Sequence, residues 1–429
     1  MIWRPVQLLE AALALAVVAS LASTIAFFSS NGYLPQPFVF DTNDTFMDWF
    51  NTAYWANNPG AFSVWRTIYP PLSFAFLDVT TLPGCYLQSP FYARDCDWLA
   101  KSTIGAFYLL DVALLWLAFH RADRATAPMR TVAMALGLPL LFTLERGNLI
   151  LVCLAPFILA HGPLLKSRLW RGMAAAVTIN FKPYLVLPVL NHLLRREWRQ
   201  LELAGIATVA LFCLTLAWVG AGTPAEIVTN TANWVIYQGG QVWNEINYST
   251  SYAPFLNMRA AQVPLLEFVP SRTLEGIEEA VPVAIVTTQI LALTALAAAW
   301  LQPRILEPAR IAALLMGAYL VTQSPGGYTQ VFLLFLVFLE PSKRAGPMLA
   351  VVCCYLLSLV GDISLATILE LTTTSWLGER TVSPVFGLTW GHFLRPGLVI
   401  LIVWALALDA IVQVARAHSW HRPTLGLTA

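Results

Sequence analysis

The chain has 429 residues, of which 58% are hydrophobic and 11% are charged, and its formal net charge is +1. Soluble domains carry about 25% charged residues, so this composition excludes a water-soluble globular protein, and the small net charge gives no indication of a nucleic-acid partner. Repeated apolar runs approach the roughly 20 residues that span a bilayer as a helix. Because backbone groups must pair internally in lipid, and the runs are long for β-strands, we predict an all-α, polytopic membrane protein.

The apolar runs predict about twelve membrane helices, some of them short or re-entrant. They lie near residues 8–29, 101–120, 129–144, 148–165, 172–182, 184–194, 201–219, 281–301, 309–323, 328–340, 347–366 and 396–415. The fifth and sixth runs are too short to cross a core of about 30 Å without tilt at 1.5 Å per residue. Pro183 fits a break between them, so we predict either a re-entrant pair or two spans that thin the bilayer, with Lys182 at the far tip.

The basic residues predict the orientation. Of the 25 lysines and arginines, sixteen lie at predicted cytoplasmic positions and nine lie at span ends or on the other side, so the positive-inside rule places both termini in the cytoplasm. Three long loops, about 30–100, 220–280 and 367–395, then face the exterior. We interpret residues 1–429 as a single membrane domain that works on that face. Arg4 and the apolar stretch after it also fit a signal peptide, but this topology needs the stretch as a span.

An acidic, aromatic segment follows the first predicted helix. It contains Asp41, Asp44 and Asp48, and the last two are four residues apart, which puts both carboxylates on one face of a helix, where they could share a cation. Sugar transfer with inversion needs a carboxylate that accepts a hydroxyl proton. We therefore predict Asp48 as the base and Asp44 as its helper. Asp41 and Asp44 also fit caps of a short interfacial helix, the interpretation that we favour for Asp41.

Two charged interruptions of apolar runs form the second signal. Glu145-Arg146-Gly147-Asn148 separates one pair of runs, and Asn180-Phe181-Lys182-Pro183 separates another. Ionisable groups at membrane depth are costly and usually functional, so we predict that Arg146 and Lys182 bind a lipid-linked phosphate. In the alternative interpretation, Glu145 pairs with one of these cations and only neutralises buried charge.

The remaining loops leave alternatives open. The 220–280 loop alternates aromatic and amide residues, which suits either sugar stacking or an interfacial aromatic belt. The segment 322–328 predicts a tight turn that could line a cavity. Cys85 and Cys96 lie in the first outer loop, where an oxidising compartment would favour a disulfide, although two free thiols fit the spacing equally well. The histidines show no metal-ligand spacing.

Taken in order, these short motifs resemble a GT-C class membrane glycosyltransferase, and most of all the bacterial polyprenyl-phosphate-mannose-dependent α-mannosyltransferases (a glycosyltransferase family 87-like chain). Gly326-Gly327 stand where many members of that family carry a histidine or another polar residue. The segments that carry the resemblance are Asp48-Trp49-Phe50-Asn51, Tyr69-Pro70-Pro71-Leu72, Arg146-Gly147-Asn148, Lys182-Pro183, the stretch from Asn247 to Arg259, and Ser324-Pro325 with Tyr328.

The resemblance implies a hexosyltransferase of the bacterial inner membrane whose site faces the periplasm or exterior. The donor would be a polyprenyl-phosphate sugar, with mannose as the expected hexose, and the acceptor a lipid-linked glycan or polysaccharide. Asp48 would act as base, and Arg146, Lys182 or Arg259 would meet the phosphate. The sequence identifies no definite cofactor and leaves a divalent cation open. The resemblance also implies cavity residues, which are Trp49, Asn51, Arg66, Tyr69, Asn148, Asn247 and Tyr328.

Two other functions compete with this one. A polysaccharide polymerase or ligase would share the outer loops but use a lipid-diphosphate glycan as its donor. A transporter or flippase would share the number of spans, but transporters usually show matched halves, and the sequence contains no second copy of the aspartate segment or of the Lys182-Pro183 break.

Overall fold

The computed structural model of the protein describes residues 5–39, 41–237, 248–252, 270–322, 326–341 and 343–419. The fold is mostly helical, as the composition predicts. The helices are α1 (Pro5–Asn31), α2 (Met47–Asn57), α3 (Pro71–Val79), α4 (Pro90–Cys96), α5 (Trp98–Ala122), α6 (Ala127–Ala135), α7 (Leu138–Arg146), α8 (Ile150–His161), α9 (Arg168–Phe181), α10 (Val186–Val189), α11 (Asn191–Leu194), α12 (Trp198–Val219), α13 (Pro224–Tyr237), α14 (Ser271–Leu301), α15 (Pro308–Thr322), α16 (Gln330–Phe338), α17 (Ala345–Leu357) and α18 (Gly391–Ser419).

Six helical stretches in the described part of the chain are long and apolar enough to cross a membrane: Pro5–Asn31, Trp98–Ala122, Ala127–Arg146, Trp198–Val219, Ser271–Leu301 and Gly391–Ala417. Five apolar helical segments are shorter: Ile150–His161, Pro183–Leu194, Pro308–Thr322, Gly327–Phe338 and Ala345–Leu357. Every predicted span contains a helix. Helix α9 ends at Phe181, and a 3₁₀ turn begins at Pro183, where the sequence predicts a break. The helical membrane architecture is therefore confirmed, whereas the number of crossings stays a prediction.

Two small antiparallel sheets modify the all-helical expectation. The strands β1 (Ser364–Glu370) and β4 (Val385–Thr389) pair with Ser364 opposite Thr389, and β2 (Thr373–Thr374) pairs with β3 (Thr381–Val382). The predicted helix 347–366 is therefore too long, because α17 ends at Leu357 and Gly361 adopts a φ of 87° that leaves the helical region. The threonine-rich, β-branched sequence that follows favours strands.

The first outer loop folds into the 3₁₀ helix Thr42–Asp44 and the helices α2, α3 and α4. Cys85 and Cys96 form a disulfide with a Cα–Cα distance of 5.7 Å. The buried Asp97 carboxylate accepts hydrogen bonds from the backbone N–H of Leu82 at 2.9 Å and from the Tyr86 hydroxyl at 3.0 Å. These bonds satisfy a buried carboxylate. They also hold the 3₁₀ turn that contains Tyr86, against which α2 packs.

Buried ion pairs lie at the helix ends that the charge pattern assigns to the cytoplasm. Arg130 at the start of α6 pairs with Glu10 near the start of α1 at 2.9 Å, and Arg310 pairs with Glu340 and Asp409 at 2.5 Å each. Buried charges are tolerated when they are paired in this way. Every residue of α16 is buried, so this helix is the centre of the bundle. The predicted site residues lie at the other ends of α1 and of the α6–α7 segment, away from these ion pairs.

Candidate active site

The centre of the candidate site is an arginine held between two aspartates. Arg146 Nη1 lies 2.5 Å from Asp44 Oδ2, and Arg146 Nη2 lies 2.7 Å from Asp48 Oδ1. Asn148 Nδ2 donates to the second oxygen of Asp48 at 2.7 Å, so both oxygens of that carboxylate are oriented. Charge-assisted bonds of this kind are the stronger ones in proteins. The Asp48 side chain is 21% exposed, which leaves it open to a substrate.

The local sequence explains how Arg146 and Asn148 reach Asp48. Helix α7 ends in a Schellman motif, in which Gly147 N–H donates to Leu144 O and Asn148 N–H donates to Thr143 O, both at 3.0 Å. Gly147 has a φ of 60°, which favours glycine. A Cβ there would lie only 3.1 Å from Phe46 Cα. The glycine therefore allows the start of α2 to pack against the end of α7.

The three aspartates have different environments. Asp41 caps the 3₁₀ helix by accepting from Asn43 N–H at 2.9 Å, and it accepts from the Thr373 hydroxyl at 3.1 Å, as the capping interpretation expects. Partial burial raises the pKa of the Asp44 carboxyl above its ordinary value, and the Arg146 guanidinium opposes that rise. Asp44 and Asp48 thus share one cation, while Asp41 has a local structural role.

Tyr69, Lys182 and Tyr328 complete the site. Lys182 Nζ lies 4.4 Å from the centroid of the Tyr69 ring, and the Tyr328 side chain lies close to those of Asn148, Asp48 and Tyr69. Lys182 lies within 4 Å of no carboxylate in the described residues, so its charge is balanced only by the face of an aromatic ring. It is a strong candidate for binding an anionic group.

Other predicted residues lie elsewhere. Trp49 is fully buried and packs edge-to-face on Phe76 at 5.9 Å, so it is a core residue and does not line a cavity. Arg66 is exposed at the surface, and Asn51 is half-buried on α2. Asn247 and Arg259 lie outside the described residues. The alternative pairing of Glu145 is not adopted, because the arginine beside it pairs with Asp44 and Asp48.

Arg94 is a supporting residue that sequence reasoning missed. Its Nη1 donates to the backbone carbonyls of Thr42 and Asn43 at 3.1 and 2.7 Å. These bonds hold the 3₁₀ helix that carries Asp44. A single arginine in a loop gives no sequence signal for carbonyl bonding, so only the folded loop reveals this contact.

An apolar groove of about 290 Å³ runs between α1 and α7 and reaches the site. Ile25, which is 55% exposed, opens it toward the outer surface of α1, and Thr45 and Glu145 lie at its inner end beside the aspartate–arginine centre. The lining residues are Leu21, Thr24, Ile25, Phe28, Leu34, Phe38, Thr45, Phe46, Leu141, Leu144, Glu145 and Trp376. Grooves of this apolar character suit hydrocarbon chains.

The described residues contain no group of three or more histidine, cysteine or acidic side chains arranged to hold a metal ion. Two cationic side chains lie at the site, the guanidinium of Arg146 and the ammonium of Lys182. Both can stabilise a phosphate, the first through a planar fork and the second as a point charge.

A bundle of apolar helices with a carboxylate, a guanidinium and an ammonium converging at one end defines a membrane protein equipped for acid–base chemistry beside an anion. A family model described as glycosyltransferase family 87 matches residues 68–325, which is 258 of the 429 residues. The chain belongs to glycosyltransferase family 87 and is a membrane glycosyltransferase. Comparisons with curated proteins and with solved structures give no match.

The matched region contains Tyr69, Arg146, Asn148 and Lys182, whereas Asp44 and Asp48 precede it and Tyr328 follows it. The contacts of Arg146 and Asn148 join these flanking residues to the matched region. The candidate site therefore combines residues from inside and outside the match.

Proposed function

We propose that the protein transfers a hexose, mannose in the first instance, from a polyprenyl-phosphate sugar to a lipid-linked or polysaccharide acceptor. The reaction takes place with inversion on the non-cytoplasmic face of a bacterial inner membrane. The observation that carries this proposal is the carboxylate of Asp48, which Arg146 and Asn148 orient. Lys182, which lies on the Tyr69 ring and has no carboxylate partner in the described residues, supports it.

Asp48 acts as the general base in this mechanism. Each of its oxygens accepts one described bond, and a carboxylate has about four acceptor sites, so it can still accept a hydroxyl proton. The proton moves from the acceptor hydroxyl to Asp48 while the acceptor oxygen bonds to the anomeric carbon. The bond from that carbon to the phosphate oxygen breaks, and its electron pair leaves with the phosphate. A β-linked donor thereby gives an α-glycoside.

Lys182 is the principal phosphate-binding residue in this proposal. It has no carboxylate to compete with in the described part of the chain, and the Tyr69 ring beside it orients the ammonium. Arg146 uses three of its five N–H donors on Asp44 and Asp48, so it can contribute a further donor to the phosphate. A fixed cation stabilises the charge that develops on the leaving group.

The groove between α1 and α7 is the proposed path of the donor's lipid chain. It is apolar along its length, it opens at Ile25 on the outer surface of α1, and it ends beside Glu145. A polyprenyl chain lying there would bring its phosphate to the neighbourhood of Arg146.

A transfer assay tests the proposal. Membranes that contain the protein are supplied with polyprenyl-phosphate mannose, glucose or arabinose. Membranes that contain the Asp48→Asn variant receive the same donors and serve as the control. We expect transfer from a monophosphate donor, fastest with mannose, and its loss in the variant. Transfer from a lipid-diphosphate oligosaccharide, with none from any monophosphate donor, would contradict the proposal and support a polymerase or ligase.

A further inference from the structure

Helix α2 presents one polar and aromatic face to the outer side of the site. Asp48, Asn51 and Trp55 stand at positions i, i+3 and i+7, which share one face of a helix. Phe50 and Ala53, on the other side, are fully buried. Seven residues at 1.5 Å each separate the backbones of Asp48 and Trp55 by about 10 Å. The catalytic carboxylate and an indole ring thus lie on the same surface, two helical turns apart.

Trp55 belongs to an aromatic platform that is partly open. Its ring stacks on Trp65, with centroids 6.5 Å apart and an interplanar angle of 25°. Tyr54 packs edge-on against Trp65 at 5.8 Å. Trp65 remains 41% exposed, whereas large aromatic residues usually bury most of their surface in the core.

The loop that carries Trp65 is held in place by hydrogen bonds. Trp65 N–H donates to Gly60 O at 3.0 Å, and Asn230 Nδ2 donates to Phe62 O at 2.9 Å and to Thr67 O at 3.3 Å. A loop fixed at these points presents the indole in one orientation. Preorganisation of this kind reduces the entropy cost of binding a ligand.

The platform packs on the same buried cluster as Tyr69 of the candidate site. Trp55 and Tyr69 pack against the same apolar cluster, which includes Phe62, Phe74 and Ile227. Tyr69 contacts Lys182. Contacts through this buried cluster therefore join the tryptophan pair to the Tyr69 ring that contacts the cation we assign to the donor phosphate.

We propose that Trp55 and Trp65 form a subsite for the acceptor saccharide, in which a sugar ring stacks its apolar C–H face on the open indole of Trp65. This inference rests on the proposed function. The half-buried Asn51 stands one helical turn before Trp55 on α2, and the exposed Arg66 follows Trp65 in the chain, so both can supply hydrogen-bond donors to a bound sugar. Because the platform lies about 10 Å along α2 from Asp48, the stacked ring is not the one that presents its hydroxyl to the base. The subsite therefore favours acceptors that contain more than one sugar.

Saturation-transfer NMR on the protein in nanodiscs tests this subsite without donor or turnover. The probes are linear manno-, gluco- and galacto-trisaccharides. We expect at least one of them to bind the intact protein through ring protons, and Trp65→Ala to weaken its binding roughly tenfold, as loss of one aromatic contact implies. Trp65→Phe, which keeps an aromatic face, should retain most of the binding.

Trp198→Ala is the matched control, because Trp198 is 50% exposed but packs against Trp300 near the predicted cytoplasmic end. It should bind the trisaccharide as the intact protein does. In transfer assays, Trp65→Ala should raise the acceptor KM more for a trisaccharide acceptor than for a monosaccharide, with the donor KM unchanged.

Unchanged trisaccharide binding by Trp65→Ala would overturn the inference, and so would binding of none of the three probes by the intact protein. A variant that binds normally but loses thermal stability in nanodiscs would instead identify the platform as a membrane-interface anchor. Failure of sugar transfer in the intact protein, with Trp65-dependent trisaccharide binding preserved, would count against the proposed function alone.

Discussion

Asp41 and Asp48 lie seven residues apart in one short segment, yet the structure engages them in different ways. Asp41 bonds to the backbone of its own turn and to Thr373, while Asp48 bonds to Arg146 and Asn148 from the end of another helix. The first set of contacts stabilises a loop. The second orients a carboxylate at a partly exposed position where a substrate hydroxyl can reach it.

Replacement of the aspartates should therefore have graded effects. Asp48→Asn should lower kcat by about 10²–10⁴ while donor binding is retained, because a general base contributes that much to the rate. Asp41→Asn should leave kcat nearly unchanged, and Asp44→Asn should fall between, since Asp44 shares Arg146 with the base. Steady-state kinetics of the purified variants in nanodiscs measure the order. Normal turnover by Asp48→Asn together with an inactive Asp44→Asn would exchange the two roles.

Lys182→Gln should raise the donor KM with little effect on the acceptor KM. A hydrogen bond to a charged group contributes about 1.5–3 kcal/mol, and each 1.4 kcal/mol corresponds to a tenfold change. Lys101→Gln is the control, because Lys101 is an exposed lysine on the same side that donates only to Asp95 O at 3.2 Å. An equal rise in the donor KM for both variants would indicate a general effect of surface charge.

Gly147→Ala should impair the site without touching a charged group. The new methyl group would meet the Phe46 backbone at 3.1 Å and would sit on a residue with a φ of 60°, which costs an L-residue about 1–2 kcal/mol. Gly220→Ala is the matched control, since Gly220 has a φ of 64° and nothing within 4 Å of the added Cβ. If the steric contact matters, Gly147→Ala loses more activity than Gly220→Ala at a similar loss in thermal midpoint.

The positions of individual side chains differ in how well the sequence predicts them. Asp48, Arg146 and Lys182 stand out because charge is costly inside an apolar stretch, and the structure brings all three to one end of the bundle. The tryptophans give no such signal. Trp49 enters the core because of the rotation of α2, which begins after Phe46 with a φ of 61°, whereas Trp65 lies in the loop that follows α2 and remains exposed. Composition alone does not set that rotation.

At the scale of elements, the first outer loop acts as a folded platform for α2. The disulfide joins the 3₁₀ turn Pro83–Tyr86 to the end of α4, and Asp97 ties Leu82 and Tyr86 to the start of α5. The disulfide and the Asp97 hydrogen bonds therefore stabilise the loop independently. The sequence indicated the cysteine pair but not the aspartate, because a lone carboxylate at a helix start is a common cap.

Cys85→Ser should lower the thermal midpoint and leave kcat at low temperature nearly unchanged, because the Asp97 bonds still hold the loop. Closing a loop of this size contributes about 2–4 kcal/mol. The comparison is with Cys213→Ser, which removes an exposed free cysteine. A reductant should reproduce the effect in the unmodified protein and in Cys213→Ser but not in Cys85→Ser. Labelling of both Cys85 and Cys96 in the non-reduced protein would contradict the disulfide.

The hairpins after α17 show where hydropathy fails as a predictor. Residues 347–366 read as one apolar span, but the last part of that run joins a sheet in which Ser364 pairs with Thr389. The Gln36 side chain bonds the backbone of Gly387 at 2.9 and 3.1 Å, which attaches the sheet to the segment after α1. Such long-range pairing is not encoded in a local window, and helix and strand cannot be told apart in short apolar runs.

At the scale of the whole molecule, charge is divided between two ends of the helical bundle. The ion pairs of Arg130 and Arg310 occupy one end, with their side chains only 3% exposed, and the aspartate–arginine centre occupies the other. The first end is closed by paired charges, while the second has Lys182 without a carboxylate partner in the described residues. The end with the paired arginines is the one that the positions of the basic residues in the sequence assign to the cytoplasm.

Reporter fusions test the orientation. Insertions at Pro224 and Gly378 should report the non-cytoplasmic side, and a fusion after Ala429 should report the cytoplasm, because the basic residues cluster at the opposite loops. Gly378 is suitable, since nothing lies within 4 Å of an added Cβ there. A C-terminal fusion that reports the outer side would overturn the predicted topology and the side of the site with it.

The contacts of the aspartate–arginine centre also set an order in time. Asp48 is made 98 residues before Arg146 and 280 residues before Tyr328, as their positions in the chain show (146 − 48 and 328 − 48). At synthesis rates of about 5–20 residues per second, roughly 15–60 s separate the carboxylate from the last of its described neighbours. A nascent chain that ends before Arg146 therefore holds the aspartate with neither its guanidinium nor its tyrosine, and one that ends before Tyr328 still lacks the tyrosine. The aspartate–arginine centre is therefore complete only after the chain has been synthesised beyond Tyr328.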